Sequence, residues 1–425
     1  MKILVLGSGA REHAIILRLR SEQTDHEIYA APGNAGIAND ATLVDIDALD
    51  AAAVERFAND TGIDLVIIGP EAPLVAGVAD VLRERGIPVF GPGRAAAQLE
   101  GSKAFAKRIM DEAGVPTGQA IHASTLAEVE TALDKLGAPY VVKADGLAAG
   151  KGVIVTNDRD AAVDHARSYL PAGPVLIEEF LSGEEVSLFF LSDGDTVRAL
   201  SPAQDFKRAH NNDEGPNTGG MGAYSPLPWL ADQFGSVQAF VDEVTETVAV
   251  PVIRQLDSEG TPFIGLLYAG LIITEKGIRV IEFNARFGDP ETQVVLPRLR
   301  EDLSQLLLAA ASGHLEDHEQ PTFTDDAVIT VVLASEGYPE APQTGRHLDG
   351  LDHAAEVEGA WLVHAATGGP DAPGGALVAT GGRVLNVVAQ GTDFATARER
   401  AYTALERITL DGGHYRTDIA ARVSS

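Results

Sequence analysis

Short apolar runs alternate with stretches of helical spacing along the first hundred residues. Residues 3–6 are all apolar, as in a strand buried on both faces, and residues 10–20 repeat apolar positions at helical intervals. Further strands are expected at residues 27–31, 65–68 and 88–90. That alternation predicts a small doubly wound α/β domain, with ligands at the C-terminal ends of its strands. After Gly91-Pro92-Gly93 the pattern predicts one helix over about residues 95–113. Residues 139–143 and 153–155 read as strands around a glycine-rich loop, and residues 175–181 as a strand running into a linker. An amphipathic helix is expected at 302–311. From Asp326 the pattern turns to β, with strands at 327–333, 361–364 and 383–388 and a last helix at 393–407. The expectation is a multidomain chain of α/β and α+β class. It has an N-terminal Rossmann-like domain over 1–103, a central domain over 104–325 and a separate C-terminal α+β domain over 326–425. Within the central domain a small mobile lobe spans about 120–190 and a large lobe 191–325.

One stretch stands out chemically: Val280-Ile281-Glu282-Phe283-Asn284-Ala285-Arg286-Phe287-Gly288-Asp289-Pro290-Glu291. Glu282 and Asn284 are two apart, so a strand points both from one face. A carboxylate beside an amide oxygen suits a hard cation such as Mg2+ that also holds phosphates. Arg286, at the same parity, adds a fixed positive charge where a transferring phosphoryl group needs one. A solvated edge strand is the plain alternative, and the charged Gly/Pro turn that follows favours a site.

Composition narrows the class. With 45% hydrophobic and 22% charged residues the chain forms substantial cores, and no apolar run approaches the ~20 residues of a membrane helix. The absence of cysteine excludes disulfides, thiolate catalysis and cysteine-held metals, and fits a cytoplasmic enzyme. The net charge of −30 opposes nucleic acid or an anionic membrane as partner. Lysines are only 8, against 24 arginines. That imbalance leads to the expectation of a salt-adapted, halophilic protein, and makes a lysine beside a glycine-rich loop a candidate for chemistry.

Two glycine-rich turns qualify as phosphate loops. Gly7-Ser8-Gly9-Ala10-Arg11-Glu12 begins like a dinucleotide fingerprint, but Glu12 replaces the third glycine and no acid ends the second strand. NAD binding in a dehydrogenase is therefore disfavoured, although the turn still suits a simple phosphate at a helix start. Asp145-Gly146-Leu147-Ala148-Ala149-Gly150-Lys151-Gly152 lies between two strands and is no Walker loop; it reads as a flap over nucleotide phosphates, with Lys143 and Lys151 beside it. The glycine-rich polar loop over residues 211–223 is longer than an idle connection.

A flap with two lysines, then Glu178-Glu179-Phe180-Leu181, then Glu282-Phe283-Asn284 is an order that resembles the ATP-grasp superfamily. Over its whole length the chain is similar to the phosphoribosylamine–glycine ligase family within it. The similarity is carried by Arg11-Glu12-His13-Ala14, residues 31–36, 69–74, 99–103, 143–152 and 215–224, and most specifically by Arg286-Phe287-Gly288-Asp289-Pro290-Glu291-Thr292-Gln293.

The resemblance implies an ATP-dependent ligase of purine biosynthesis that joins glycine to phosphoribosylamine through glycyl phosphate, as a monomer, with Mg2+ or Mn2+. It implies Glu282 and Asn284 as metal ligands, and Lys103, Lys143, Gly146, Gly150, Lys151 and Gly152 around the nucleotide phosphates. Glu178, Glu179, Phe180 and Leu181 form the adenine hinge and Glu185 takes the ribose. Arg286, with Lys143 and Asp289, belongs to the catalytic set. Gly9, Arg11, Asn34, Lys207, Asn217, Gly219 and Gly220 are expected around the substrates. Asp205 and Asp289 either orient the amines or fix loops. A carboxylate from the strand before Glu282, common in the superfamily, is missing from Leu267-Tyr268-Ala269-Gly270-Leu271. The alternatives are another ATP-grasp carboxylate–amine ligase or carboxylase, and a non-catalytic nucleotide sensor.

Overall fold

A computed structural model describes residues 1–146, 152–369 and 377–424. The N-terminal sheet is parallel, in spatial order Thr42–Leu43, Glu27–Pro32, Lys2–Gly7, Leu65–Ile68 and Val89–Phe90. Its central strands are buried on both faces, which is why they read as continuous apolar runs. The helix Ala10–Arg20 follows the first strand, as its spacing predicts. The helix expected over 95–113 is instead two, Gln98–Gly101 and Lys103–Glu112. Ser102 takes an extended conformation between them, and its hydroxyl accepts from the Phe105 N–H at 3.2 Å, capping the second helix.

The small lobe is an antiparallel sheet, ordered Ala120–Ala123, Val175–Glu178, Tyr140–Ala144 and Val153–Thr156, under the helices Leu126–Leu136 and Arg159–Tyr169. Val129, Leu133, Val142, Val163 and Ile177 belong to a core of its own, distinct from those of the rest. The lobe closes at Glu178 and not near 190, because the next strand, Glu184–Asp193, pairs along its length with Ile264–Thr274 in the large lobe.

The C-terminal unit is not separate in space. Its antiparallel sheet runs Gln204–Asp205, Gly222–Ser225, Ala327–Ala334, Arg383–Gly391 and Ala360–His364. Two of these strands come from the loop region before residue 226, so the expected 325/326 boundary cuts through a hydrogen-bonded sheet. Ala327–Ala334 is central and wholly buried, and the helix Phe394–Leu405 covers it. Among the described residues no helix is long and apolar enough to cross a membrane.

Candidate active site

The strand Gly277–Asn284 carries a bulge that the sequence pattern leaves implicit. Its partner strand steps from Leu271, opposite Val280, to Gly270, opposite Glu282, leaving Ile281 as the extra residue. The bulge shifts parity. Val280 points into the core before it and Phe283 after it, while Glu282 and Asn284 are half-buried on the other face. Without the extra residue, Val280 would share the face of the polar pair. The strand ends at Asn284, so Arg286 does not continue it.

Gly270 faces Glu282, and a Cβ there would lie 3.3 Å from the Glu282 Cγ. That side of the site therefore offers no side-chain ligand, and Glu282 itself fills the place that a side chain at 270 would take. Neither Glu282 nor Asn284 hydrogen-bonds or ion-pairs with another side chain among the described residues, and no cluster of three carboxylates or histidines capable of holding a metal occurs among them. Two oxygen donors without a third protein ligand beside them fit Mg2+ or Mn2+ shared with substrate phosphates, and do not fit an all-protein cage.

Lysines gather next to this strand. Lys103 donates to the Gly146 carbonyl at 3.0 Å, and burial lowers its pKa against the pull of Glu282. Asp145 accepts from the Lys103 N–H at 2.7 Å and from the Ala104 N–H at 3.4 Å, so the residue that follows the Lys143 strand is moored to the start of the Lys103–Glu112 helix. Lys143 pairs with Glu178 at 2.9 Å, both buried. Lys107, which the pattern does not single out, approaches the same carboxylate at 3.5 Å. The signal available for it was a scarce lysine one turn beyond Lys103. Glu179 accepts from the Gln119 N–H at 3.1 Å, and Phe180 is exposed on the linker that ends at Leu181. Gly150 and Lys151 lie outside the described residues; Gly152 resumes them.

Glu185 ion-pairs with Lys207. Burial opposes the Lys207 charge, but Asp205, Glu185 and Glu282 together raise its pKa well above the usual value. The balance leaves too many carboxylates for one ammonium, so burial and the charges of Glu291 and Glu185 push Asp205 up to about 7, against the opposing pull of Lys207.

Arg286 is braced from the N-terminal side, its Nη2 2.9 Å from Glu100 and its Nε 3.7 Å from Glu71. Burial disfavours its charge, yet these carboxylates hold its proton more tightly than usual. Glu100 also accepts from the Ala285 N–H at 2.8 Å, so a residue the sequence reading did not single out sets both backbone and side chain here. Asp289 is committed to loop fixing: its Oδ2 takes Arg383 at 3.0 Å and its Oδ1 takes Gln293 at 2.9 Å. Arg383 further donates to the carbonyls of Asp289 at 2.8 Å and Gly219 at 2.7 Å, while the Gly219 N–H donates to the Tyr338 hydroxyl at 3.0 Å. Gly220 sits at φ +110° with a Cβ position 2.5 Å from Pro290, so only glycine lets this loop cross the turn. Arg383 lies about a hundred residues downstream on a strand, and nothing local marks it. No side-chain hydrogen bond engages Asn217 among the described residues.

Three residues expected at the substrates already spend polar groups within the protein, and two of them, Gly9 and Asn34, line the cleft described below. The Glu12 carboxylate accepts the Gly9 N–H at 2.6 Å and pairs with Arg11 at 2.6 Å, filling the helix start expected to suit a phosphate. Arg11 is buried against Glu12 and the Phe287 carbonyl, turned from the cleft, because its ion pair holds it there. Asn34 spends its amide on the carbonyls of Ser8, His364 and Ala365 and its oxygen on the N–H groups of Gly36 and Ile37, so it joins domains as scaffold. Above it lies a cleft of about 1310 Å³ between the N- and C-terminal units, lined among others by Ser8, Gly9, Asp289, Thr367, Thr380 and Arg383.

The three family models of phosphoribosylglycinamide synthetase match in order: the N domain at residues 1–100, the ATP-grasp (A) domain at 101–292 and the C domain at 328–422. The chain belongs to the phosphoribosylglycinamide synthetase family. It is 68% identical over 423 residues to a phosphoribosylamine–glycine ligase of Leifsonia xyli subsp. xyli, covering 99% of this chain and 100% of the relative. The counterpart from Streptomyces coelicolor is 56% identical, with both chains covered completely. The solved structure of the Thermotoga maritima phosphoribosylamine–glycine ligase superposes with a TM-score of 0.83 at 31% identity, over 99% of this chain and 100% of that one. A biotin carboxylase of Campylobacter jejuni shares the fold alone, with a TM-score of 0.70 at 15% identity, over 97% of this chain and 92% of that one. The multidomain α/β and α+β class stands, and so does the ligase family over the carboxylase alternative. The expectation of a halophilic protein finds no support in these comparisons.

Proposed function

We propose that this chain is an ATP-dependent ligase of de novo purine biosynthesis. It joins glycine to phosphoribosylamine through glycyl phosphate and yields glycinamide ribonucleotide, ADP and phosphate. Membership of the family along the whole chain carries the reading, and the approach of Lys103, from its helix, and Lys143, from the small lobe, to the strand of Glu282 and Asn284 supports it. Lys103 and Lys143 hold the nucleotide phosphates, with Gly146, Gly152 and the flap above them. Backbone groups of Glu178 to Leu181 read the adenine, and Glu185 takes the ribose hydroxyls. Glu282 and Asn284 would hold Mg2+ or Mn2+, which when bound neutralises charge on the phosphates.

A glycine carboxylate oxygen attacks the γ-phosphorus and the bond to the departing ADP oxygen breaks. Arg286, braced by Glu100 and Glu71, steadies the acyl phosphate. Phosphoribosylamine lies in the cleft, whose lining has Arg383 as its cation, already engaged. Its phosphate is therefore met by backbone N–H groups of the C-terminal unit and the hydroxyls of Thr367 and Thr380. The amine then displaces phosphate from the acyl carbon, with Lys207 and Asp205 beside it to orient the amine and Asp205 to receive its proton. Closure of the small lobe keeps water from the intermediate. The separate small-lobe core supports that motion. We take the working unit to be a monomer in the cytoplasm. The test is ATP cleavage with and without glycine and phosphoribosylamine generated in situ. ADP formation that needs both is expected; AMP formation, or indifference to glycine, overturns the reading.

A further inference from the structure

Lys107 is buried at the root of the small lobe and has no part in the reading above. It lies one turn beyond Lys103 on the Lys103–Glu112 helix, and its ammonium meets Thr117 Oγ1 at 2.9 Å, the Gly118 carbonyl at 3.2 Å and a Glu178 oxygen at 3.5 Å. Of its three N–H groups two are spent on the neutral acceptors, and the charge faces Glu178. Thr117 and Gly118 belong to the segment entering the small lobe, and Glu178 ends the strand leaving it. The two segments are tied together, the Glu179 N–H donating to the Gln119 carbonyl at 2.8 Å. The entering segment is also stitched to the Glu282 strand: the Thr117 hydroxyl donates to the Val280 carbonyl at 2.6 Å, and the Val280 N–H to the Pro116 carbonyl at 2.9 Å.

The same Glu178 oxygen pairs with Lys143 at 2.9 Å, and the side chains of Lys107, Lys143 and Glu178 are 11%, 7% and 7% exposed. A carboxylate this buried needs a partner, since an unpaired buried charge is strongly unfavourable. Were Lys143 to turn to nucleotide phosphates, Glu178 would lose its nearer cation. Lys107 would remain, carried by its helix and held in place by Thr117 and Gly118.

We infer that Lys107 is a positioning residue for nucleotide binding: it keeps Glu178 neutralised at the lobe root, so that Lys143 can exchange that carboxylate for phosphates. The inference rests on the ATP-binding reading of Lys143. Titration calorimetry with ADP and Mg2+ on the full chain separates the two. Wild-type protein that binds no ADP overturns the ATP reading itself. With wild type binding, Lys107→Met is expected to weaken ADP about tenfold and to raise KM for ATP without raising that for glycine, because Glu178 then retains Lys143. Adding Glu178→Gln should restore affinity to within about threefold of the Glu178→Gln protein, a rescue that a merely structural role would not produce. Lys107→Met binding as tightly as wild type, or a double variant weaker than Lys107→Met, overturns the inference. Should Lys107→Met alone not fold, Glu178→Gln is compared with the double variant. Equal affinity is required, and a tenfold difference overturns it.

Discussion

The turn after the first strand and the flap after Lys143 are both glycine-rich, and both meet a helix N-terminus through a carboxylate. In the first, Glu12 comes from the helix it caps, one turn in, and lies buried between Gly7, Gly9 and Gly69. A Cβ at Gly7 would stand 2.6 Å from the Glu12 side chain, so the glycines make room for that carboxylate and not for a ligand. In the second, Asp145 belongs to the small lobe and caps a helix of another unit, with Lys103 beside it. One carboxylate is captive within its own helix; the other is released if the lobe moves. The difference teaches that a glycine-rich turn does not by itself make a phosphate site. What already occupies the helix start decides it, and whether that occupant can leave.

The sharpest attempt to break this contrast is Lys143→Ala. It should lower kcat/KM for ATP by about a thousandfold, roughly 4 kcal/mol of transition-state stabilisation. Glu178 keeps Lys107, so the fold should survive, and steady-state kinetics with a denaturation control check both halves. Activity within a factor of about ten of wild type would remove Lys143 from the chemistry.

On the other side, Glu12→Ala should cost about 3 kcal/mol of folding stability, since it leaves Arg11 buried without its ion pair. ATP affinity should stay within about twofold, as the first turn holds no nucleotide. Urea unfolding and nucleotide titration on the same protein read both. Unchanged stability with lost affinity would reverse the comparison.

The smallest effect tests release. Asp145→Ala removes a cap shared between two units and should loosen the Lys103 and Ala104 amides by about 1 kcal/mol. Hydrogen exchange in that segment should quicken in the variant and, in wild type, respond to ATP. No change in either would make Asp145 as captive as Glu12.

Much of this protein was legible along the chain. Residues 10–20 and 65–68 form the helix and strand their spacing predicts, because apolar periodicity is a local property that burial only confirms. Glu282 and Asn284 were legible as a pair because two residues apart on a strand means one face, and the lysines because there are so few. Other features are not local. The bulge at Ile281 is visible only against its partner strand, yet it puts Val280 inward and Glu282 outward. The split at Ser102 follows from a capping bond that spacing cannot show. Arg383 holds Asp289 and Gly219 from far along the sequence, Asn34 joins two domains, and Glu12 fills a turn that reads as vacant. The sequence alone determined most of the strands and helices and the chemical groups on offer, since those depend on residue type and short-range spacing. Only the tertiary structure decided which groups are already paired and which are left for a ligand, because every pairing closes between segments that the chain order keeps apart.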